Sequence, residues 1–518
     1  MKTVHISPEE MTHNIARFDD LLANKAKTGN KILPEARERM TARATKTVIA
    51  DPTASDTPPG VMNVMPNSAA ARDIAYYIHP QTNLRRHQEV GPMVVNKGDG
   101  IYVEDEAGNR YLECVAGLWC AALGFSANER IARVAYDQMR KMGYYHTYRH
   151  TAHESSIDLA EKLIQLAPVP MSKVLFQCSG SEANDTAIKL AWYYQAAKGR
   201  PDKVKIIGRD RGYHGSTIAA VSVSGKPDMH ADFALPLPMM RHTEYPHYYR
   251  RHENGESEEA FATRMADALE TLILAEGPDT VAAFFAEPVM AAGGAVIPPE
   301  TYFDKVQTVL KKYDVLFVAD EVVCGFGRTG NWWGSQTFNL QPDMITCAKA
   351  LSAAYQPISA VMVNEDIHQA MLAQSDKLGA FAHGYTHAGH PVTTAVALEV
   401  IKIYEEIDVV TRAREVGGYM IQRLQSFSGH PLVGDVRGIG ILAGMELMAD
   451  KENRTPFEPG IAGPTVDRIG RQNGLILRVI GDRLAFAPPL IMTEENVDDM
   501  AERLGRTLDQ AHAEITKS

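Results

Sequence analysis

The chain of 518 residues has few cysteines, no excess of positive charge and no long apolar run, and each absence narrows what it can be. The five cysteines, Cys114, Cys120, Cys178, Cys324 and Cys347, are odd in number, scattered and without CxxC spacing, so neither a disulfide framework nor a zinc site is indicated. No metal is expected. Lysine plus arginine number 53 against 64 acids, a net charge of -11, and no basic run is present. That balance argues against a nucleic-acid partner. No stretch reaches the roughly 20 apolar residues of a membrane span, and the opening MKTVHISPEEMTHNIARFDD is too polar for a secretory signal. No membrane association is expected, and the cytoplasm is the compartment these absences leave.

What is present has the make-up of an ordinary globular protein, 45% hydrophobic and 23% charged, long enough for more than one domain. Residues 1–75 read as an extension or arm, with a helix-like stretch from Pro8 to Lys25 followed by polar, Pro-containing sequence such as DPTASDTPPG. Residues 76–150 turn to short β-rich runs, GIYVEDEAGNRYLEC among them, with a hairpin loop at Ala107-Gly108-Asn109. Between Ser172 and about Glu365, apolar strands (KVLFQCSG, KVKIIG, TVAAFFAEP, DVLFVADEV, DMITCAKA, SAVMVNE) alternate with helices, one of them at Tyr302 to Tyr313. LFVA and AAFFA are continuously apolar, as strands are when both faces of a mostly parallel sheet are covered. Residues 151–390 therefore read as a large α/β domain. Residues 391–518, with a helix after Pro391, strands at GILAGMELM, LILRVI and LAFAPPL, and a closing helix from Glu494, read as a smaller C-terminal unit.

Three strand ends carry chemistry. In CSGSEANDTAIKLAWYY a strand ending at Cys178 turns through Ser179-Gly180-Ser181 into a helix, whose free N–H groups and dipole make an anion site suited to a phosphate. A Ser-capped helix with no ligand is the alternative. In VLFVADEVVCGFGRTG the acids Asp320 and Glu321 end an apolar strand, where a carboxylate is costly unless a cation meets it. A protonated pyridine nitrogen would serve, and so would a structural ion pair with Arg328. In DMITCAKALSAAYQP, Lys349 follows the apolar run Met344 to Ala348. Desolvated there, it would lose its proton more easily and become a nucleophile toward an aldehyde; the alternative is a lysine that snorkels to solvent. One small molecule needs an anion cradle, a carboxylate and a Schiff-base lysine together, and that is pyridoxal phosphate.

The chain also resembles a known family. From about Tyr77 to the C-terminus it is similar to the class III, ω-amino acid type of pyridoxal-phosphate aminotransferase, through AGLWC at 116–120, SGSEAND at 179–185, GYHGST at 212–217, AEPV at 286–289, ADEVVCGFGRTG at 319–330, AKALS at 348–352 and HGYTHAGHP at 383–391. The resemblance implies the fold-type I architecture: a large domain with a mostly parallel sheet, plus a smaller domain built from N- and C-terminal segments. It also implies a homodimer with shared active sites. It gives Lys349 the Schiff base and the proton shuttle, and Asp320 the pyridine nitrogen. Tyr213 and Val322 would cover the two faces of the ring, although Tyr213 also reads as a half-buried core tyrosine. Gly180 and Ser181 would hold the phosphate, with Thr386 reaching it from the other subunit.

For the substrate, Arg478 sits where the family places a mobile arginine that binds a carboxylate and swings away for carboxylate-free amines; a strand-end surface arginine is the alternative. Relatives specific for ornithine or 4-aminobutyrate tend to carry a pairing glutamate after the EP motif, where this chain has Ala292. An unpaired Arg478 favours the amine:pyruvate branch over the ornithine branch. Trp119 and Tyr148 would wall the pocket. Arg149, where relatives often have a second aromatic, would meet an acidic substrate tail or point to solvent. His387 stands where relatives often have tyrosine. The expected reaction is a ping-pong transfer from an amine or ω-amino acid to an oxo-acid such as pyruvate. A decarboxylase, racemase or aminomutase would use the same constellation. A cofactor-sensing regulator would need a basic helix-turn-helix ahead of the domain, and residues 1–75 offer acids and Pro-rich breaks instead.

Overall fold

The computed structural model describes residues 65 and 67–517, so the helix expected between Pro8 and Lys25 lies outside the described residues. The chain divides into two units at Met93/Val94. In the first, Ser68 caps the helix Ala69–Tyr76 through its side chain, and Asn83 caps Leu84–Val90 in the same way. Asp73 on the first helix is hydrogen-bonded to the Nε2 atoms of His79 and, on the second, His87, at 2.8 and 2.9 Å.

The second unit begins with the hairpin read from the sequence: β1 (Val95–Asp99), β2 (Tyr102–Asp105) and β3 (Arg110–Glu113) are antiparallel neighbours. The main sheet has seven strands, β4 (Lys173–Gln177), β5 (Lys205–Arg209), β6 (Met240–Thr243), β7 (Val281–Ala286), β8 (Leu316–Asp320), β9 (Met344–Cys347) and β10 (Ser359–Val363), in the order β4-β10-β9-β8-β7-β5-β6. Only β10 runs against the rest. The C-terminal part supplies β11 (Val433–Ile439), β12 (Leu442–Leu447), β13 (Leu475–Ile476), β14 (Arg478–Val479) and β15 (Arg483–Phe486). β13 joins β3 in parallel, so a C-terminal strand extends the N-terminal hairpin. The remaining four form the sheet β11-β12-β15-β14.

The apolar strands are covered on both sides, as their composition requires. Every residue of β7 is buried. Phe284 and Ala286 face the helices Glu258–Glu276 and Tyr302–Lys312, whereas Ala283 and Phe285 face Gly180–Ala197. Each buried phenylalanine contributes about 1.5–3 kcal/mol. The helix Tyr302–Lys312 shows how sequence sets this packing: Tyr302, Phe303, Val306, Val309 and Leu310 are buried at helical spacing, and Lys311 and Lys312 fall in the last turn, where cations suit the dipole. These layers fix the C-terminal ends of β4, β9 and β8 at one edge of the sheet, with β10 between β4 and β9. Among the described residues no helix is long and apolar enough to cross a membrane.

Candidate active site

The helix Gly180–Ala197 starts directly after β4. Ser179 caps it by accepting from the Glu182 amide at 3.2 Å, and the Glu182 carboxylate reaches back to the Cys178 amide at 2.8 Å. This reciprocal pair leaves the first two helical amides, Gly180 and Ser181, without a partner among the described residues. The Ser cap and the anion site are therefore compatible, since they use different N–H groups. The Ser181 hydroxyl accepts from the Ser216 amide at 3.0 Å, and Ser216 in turn meets the Tyr213 hydroxyl at 3.3 Å. Two glycines make the approach possible. A Cβ on Gly215 (φ +141°) would lie 2.6 Å from Ser181 Oγ, and one on Gly180 would lie 3.1 Å from Val322 Cγ1.

Asp320 ends β8 nearly buried. Its Oδ2 accepts from Asn184 Nδ2 and faces His214 Nδ1, both at 2.8 Å, and its Oδ1 accepts from the Val322 amide at 3.1 Å. Asn184 is fixed in turn by donating to the His214 carbonyl at 2.6 Å and accepting from Thr346 Oγ1 at 2.8 Å. This network holds the carboxylate rigid and leaves Oδ1 able to take a further donor. The ion pair with Arg328 is absent: Arg328 donates to the carbonyls of Pro488 and Ile441 at 2.5 and 3.4 Å. Glu321 points the other way and accepts from the amides of Gly334 and Ser335 and from Ser335 Oγ. Burial pushes Glu321 up to about 7 in spite of those donors.

Lys349 opens a short 3-10 turn, Lys349–Ser352, after β9, with its backbone in the left-handed region at φ 47°. Such a conformation in a residue other than glycine costs about 1–3 kcal/mol and gathers at functional positions. Its Nζ has no hydrogen bond or ion pair among the described residues. Burial pushes the amine down from its ordinary 10.5, and the Asp320 carboxylate acts in the opposite sense. By exposure the residue is half-buried rather than fully turned to solvent.

The substrate-side residues form a second group. Trp119 is buried on a loop where Ala116, Gly117 and Trp119 all have positive φ, and Glu113 pins that loop by accepting from the Val115 and Gly117 amides at 3.2 and 2.6 Å. The Arg478 guanidinium lies 5.5 Å from the Trp119 ring centroid. Arg478 has no carboxylate partner among the described residues, and Arg478 Nε and Trp119 Nε1 are buried without hydrogen bonds. Tyr148 is partly exposed with its hydroxyl against Gly384. Arg149 is exposed and makes no hydrogen bond or ion pair among the described residues. Thr386 and His387 are exposed; the Thr386 carbonyl accepts from Tyr144, and nothing among the described residues joins it to the Gly180 turn.

The structure thus brings Gly180, Ser181, Tyr213, Asp320, Val322 and Lys349 to one place and sets Trp119 against Arg478. Asn184, His214, Thr346 and Ser216 were not singled out from the sequence. Three of them, Asn184, His214 and Ser216, sat inside quoted motifs, and only the closed hydrogen-bond network reveals what they do. Two free helical amides, a rigid acid and a partnerless amine fit pyridoxal phosphate, which presents a phosphate, a basic ring nitrogen and an aldehyde.

Comparison with known proteins agrees. The family model for aminotransferase class-III matches residues 84–508. Gamma-aminobutyrate transaminase 1, mitochondrial, of Oryza sativa subsp. indica is 46% identical, over 83% of this chain and 83% of its own length. Gamma aminobutyrate transaminase 3, chloroplastic, of Solanum lycopersicum is 45% identical, over 85% and 86%. The crystal structure of the omega transaminase from Pseudomonas jessenii in complex with PMP superposes with a TM-score of 0.85 at 49% identity, covering 87% of this chain and 99% of that one. The decarboxylase, racemase, aminomutase and sensor alternatives find no support among these relatives. One expectation is overturned. The chain was expected in the cytoplasm, whereas these curated relatives are mitochondrial or chloroplastic by name. The criterion used, absence of an apolar signal core, tests only for secretion, because organelle transit sequences are amphipathic and Arg-rich and have no such core.

Proposed function

The chain belongs to the class-III aminotransferases and uses pyridoxal phosphate, and from that premise we propose that it moves the amino group of an amine or ω-amino acid to a small oxo-acid, pyruvate first, at the site around Lys349. Bound there, the cofactor supplies an aldehyde to take up the amino group and an electron-poor ring to spread the electron pair released at the substrate Cα. Lys349 would hold it through Nζ and, once released, carry the Cα proton; burial favours the neutral amine that both tasks need. The Gly180 and Ser181 amides would bind the phosphate, and Asp320, held by Asn184 and His214, would keep a proton on the ring nitrogen. Tyr213 and Val322 would close on the two ring faces. On this reading residues 151–390 carry the cofactor and 76–150 with 391–518 form the smaller domain, while the arm read at 1–75 lies largely outside the described residues. Two copies share their sites, with Thr386 of the partner subunit completing the phosphate cradle.

The substrate reading rests on Arg478. It lies over the Trp119 ring with no acid to hold it among the described residues, and Ala292 stands near where a pairing glutamate would be. A planar guanidinium free to turn binds the carboxylate of an oxo-acid or ω-amino acid and moves aside for an uncharged amine. The names of the gamma-aminobutyrate and omega transaminase relatives support both donor types. A panel of carboxylate-free amines and ω-amino acids against pyruvate and 2-oxoglutarate tests this. Turnover of both donor types with pyruvate preferred is expected; turnover with 2-oxoglutarate alone would contradict it.

A further inference from the structure

Glu287 follows β7 by one residue, is 5% exposed, and leaves its Oε2 buried without a hydrogen bond. His214, which meets Asp320 through Nδ1, is 1% exposed and leaves its Nε2 equally unpartnered. Two buried polar atoms of opposite capability are costly apart. They border one point, although not in direct contact with each other: the Cβ that Gly212 lacks would lie 3.4 Å from His214 Nε2 and 3.7 Å from Glu287 Oε2. The same Oε2 lies 3.8 Å from Arg209 Nη2, which also donates to the Glu287 carbonyl at 2.5 Å.

We propose that Glu287 is a positioning residue for the cofactor's ring-nitrogen site, sharing one proton with His214 Nε2 through one bridging water, so that His214 always presents Nδ1–H to Asp320. When the proton sits on Glu287, its O–H donates to the water, which donates to Nε2. When it moves to Nε2, Glu287 becomes a carboxylate facing an imidazolium and Arg209, and the net charge is unchanged. Burial pushes the Glu287 carboxyl up to about 7, against the pull of His214 and Arg209. Lys226 and Lys349 are the other cations whose fields reach Glu287, and Asp320 is the other acid. The inference rests on reading Asp320 as the partner of the ring nitrogen.

The test titrates pyridoxal phosphate into apoenzyme of three variants, E287Q, G212A and D320N, reading cofactor affinity and the pH midpoint at which the visible absorbance of the bound cofactor changes. G212A puts a methyl between the two atoms while removing neither, and it serves should E287Q fold poorly. Cofactor affinity in E287Q and G212A is expected to fall about tenfold, as for a lost hydrogen bond to a charged group, and the midpoint to move. A parental midpoint in both overturns the inference, even if affinity or thermal stability falls, because packing alone would leave the midpoint in place. A parental midpoint in D320N overturns the reading of Asp320 itself, whereas a shift in D320N without one in E287Q or G212A overturns only the role of Glu287.

Discussion

Asp320, on the floor of the site, takes hydrogen bonds from three groups of its own chain, whereas Arg478 and Trp119, on its wall, leave two buried N–H groups with no partner among the described residues. The floor is held together before anything binds. The wall is not, and a side chain with unspent hydrogen-bonding capacity and no fixed partner is one that can be turned by its ligand. The floor therefore suits a resident cofactor that stays through every turnover, and the wall suits substrates that change between the two halves of a ping-pong cycle. If the distinction is right, changes on the floor abolish reaction with every substrate, and changes on the wall discriminate among them.

The largest effect is expected from Lys349→Met. Turnover with every donor should fall by about 10²–10⁴-fold, the range for a group that moves a proton in the transition state. The same variant sharpens the comparison through stability. Because burial lowers the folded-state pKa of Lys349 below 10.5, the unfolded chain binds the extra proton more readily. Stability of the apoprotein therefore rises with pH through the window between the lowered value and 10.5. Apo Lys349→Met should be more stable than the parent at neutral pH, with the gap closing toward pH 10.5 in thermal melts. Next comes Asp320→Ala, which strands Asn184 and His214: a loss of roughly 3–5 kcal/mol by denaturant unfolding is expected, together with weak cofactor binding.

Wall changes should be smaller and selective. Arg478→Ala removes a charged donor pair worth about 1.5–3 kcal/mol, so KM for pyruvate should rise roughly 10–100-fold while the half-reaction with a carboxylate-free amine is kept. Equal losses with both substrates would place Arg478 on the floor and break the comparison. Arg149→Ala, at a residue exposed and unbonded among the described residues, should change stability by no more than about 0.5 kcal/mol. A selective loss with acidic donors would give it the substrate role that its position in the sequence also allows.

The same division governs what the sequence reveals. Asp320 and Lys349 stand out because each ends an apolar run, and an ionisable residue at the carboxyl end of a buried strand is costly unless used. The direction of β10 does not stand out, since an apolar strand reads the same either way. Nor does β6, a short edge strand after Leu237-Pro238. His214 and Asn184 carry no periodic signal; their meaning lies in a network closed across β4, β8 and β9, which are far apart in sequence. Trp119 owes its place to positive φ at Ala116 and at Trp119 itself, which residue preference does not foretell.

The most direct test of the central claim is borohydride reduction of the cofactor-loaded enzyme followed by peptide mapping. The account predicts a stable pyridoxyl label on Lys349 and none on Lys226, the other substantially buried lysine whose pKa burial lowers near this site. A label on Lys226, or no label on Lys349 in enzyme that binds the cofactor, would contradict it.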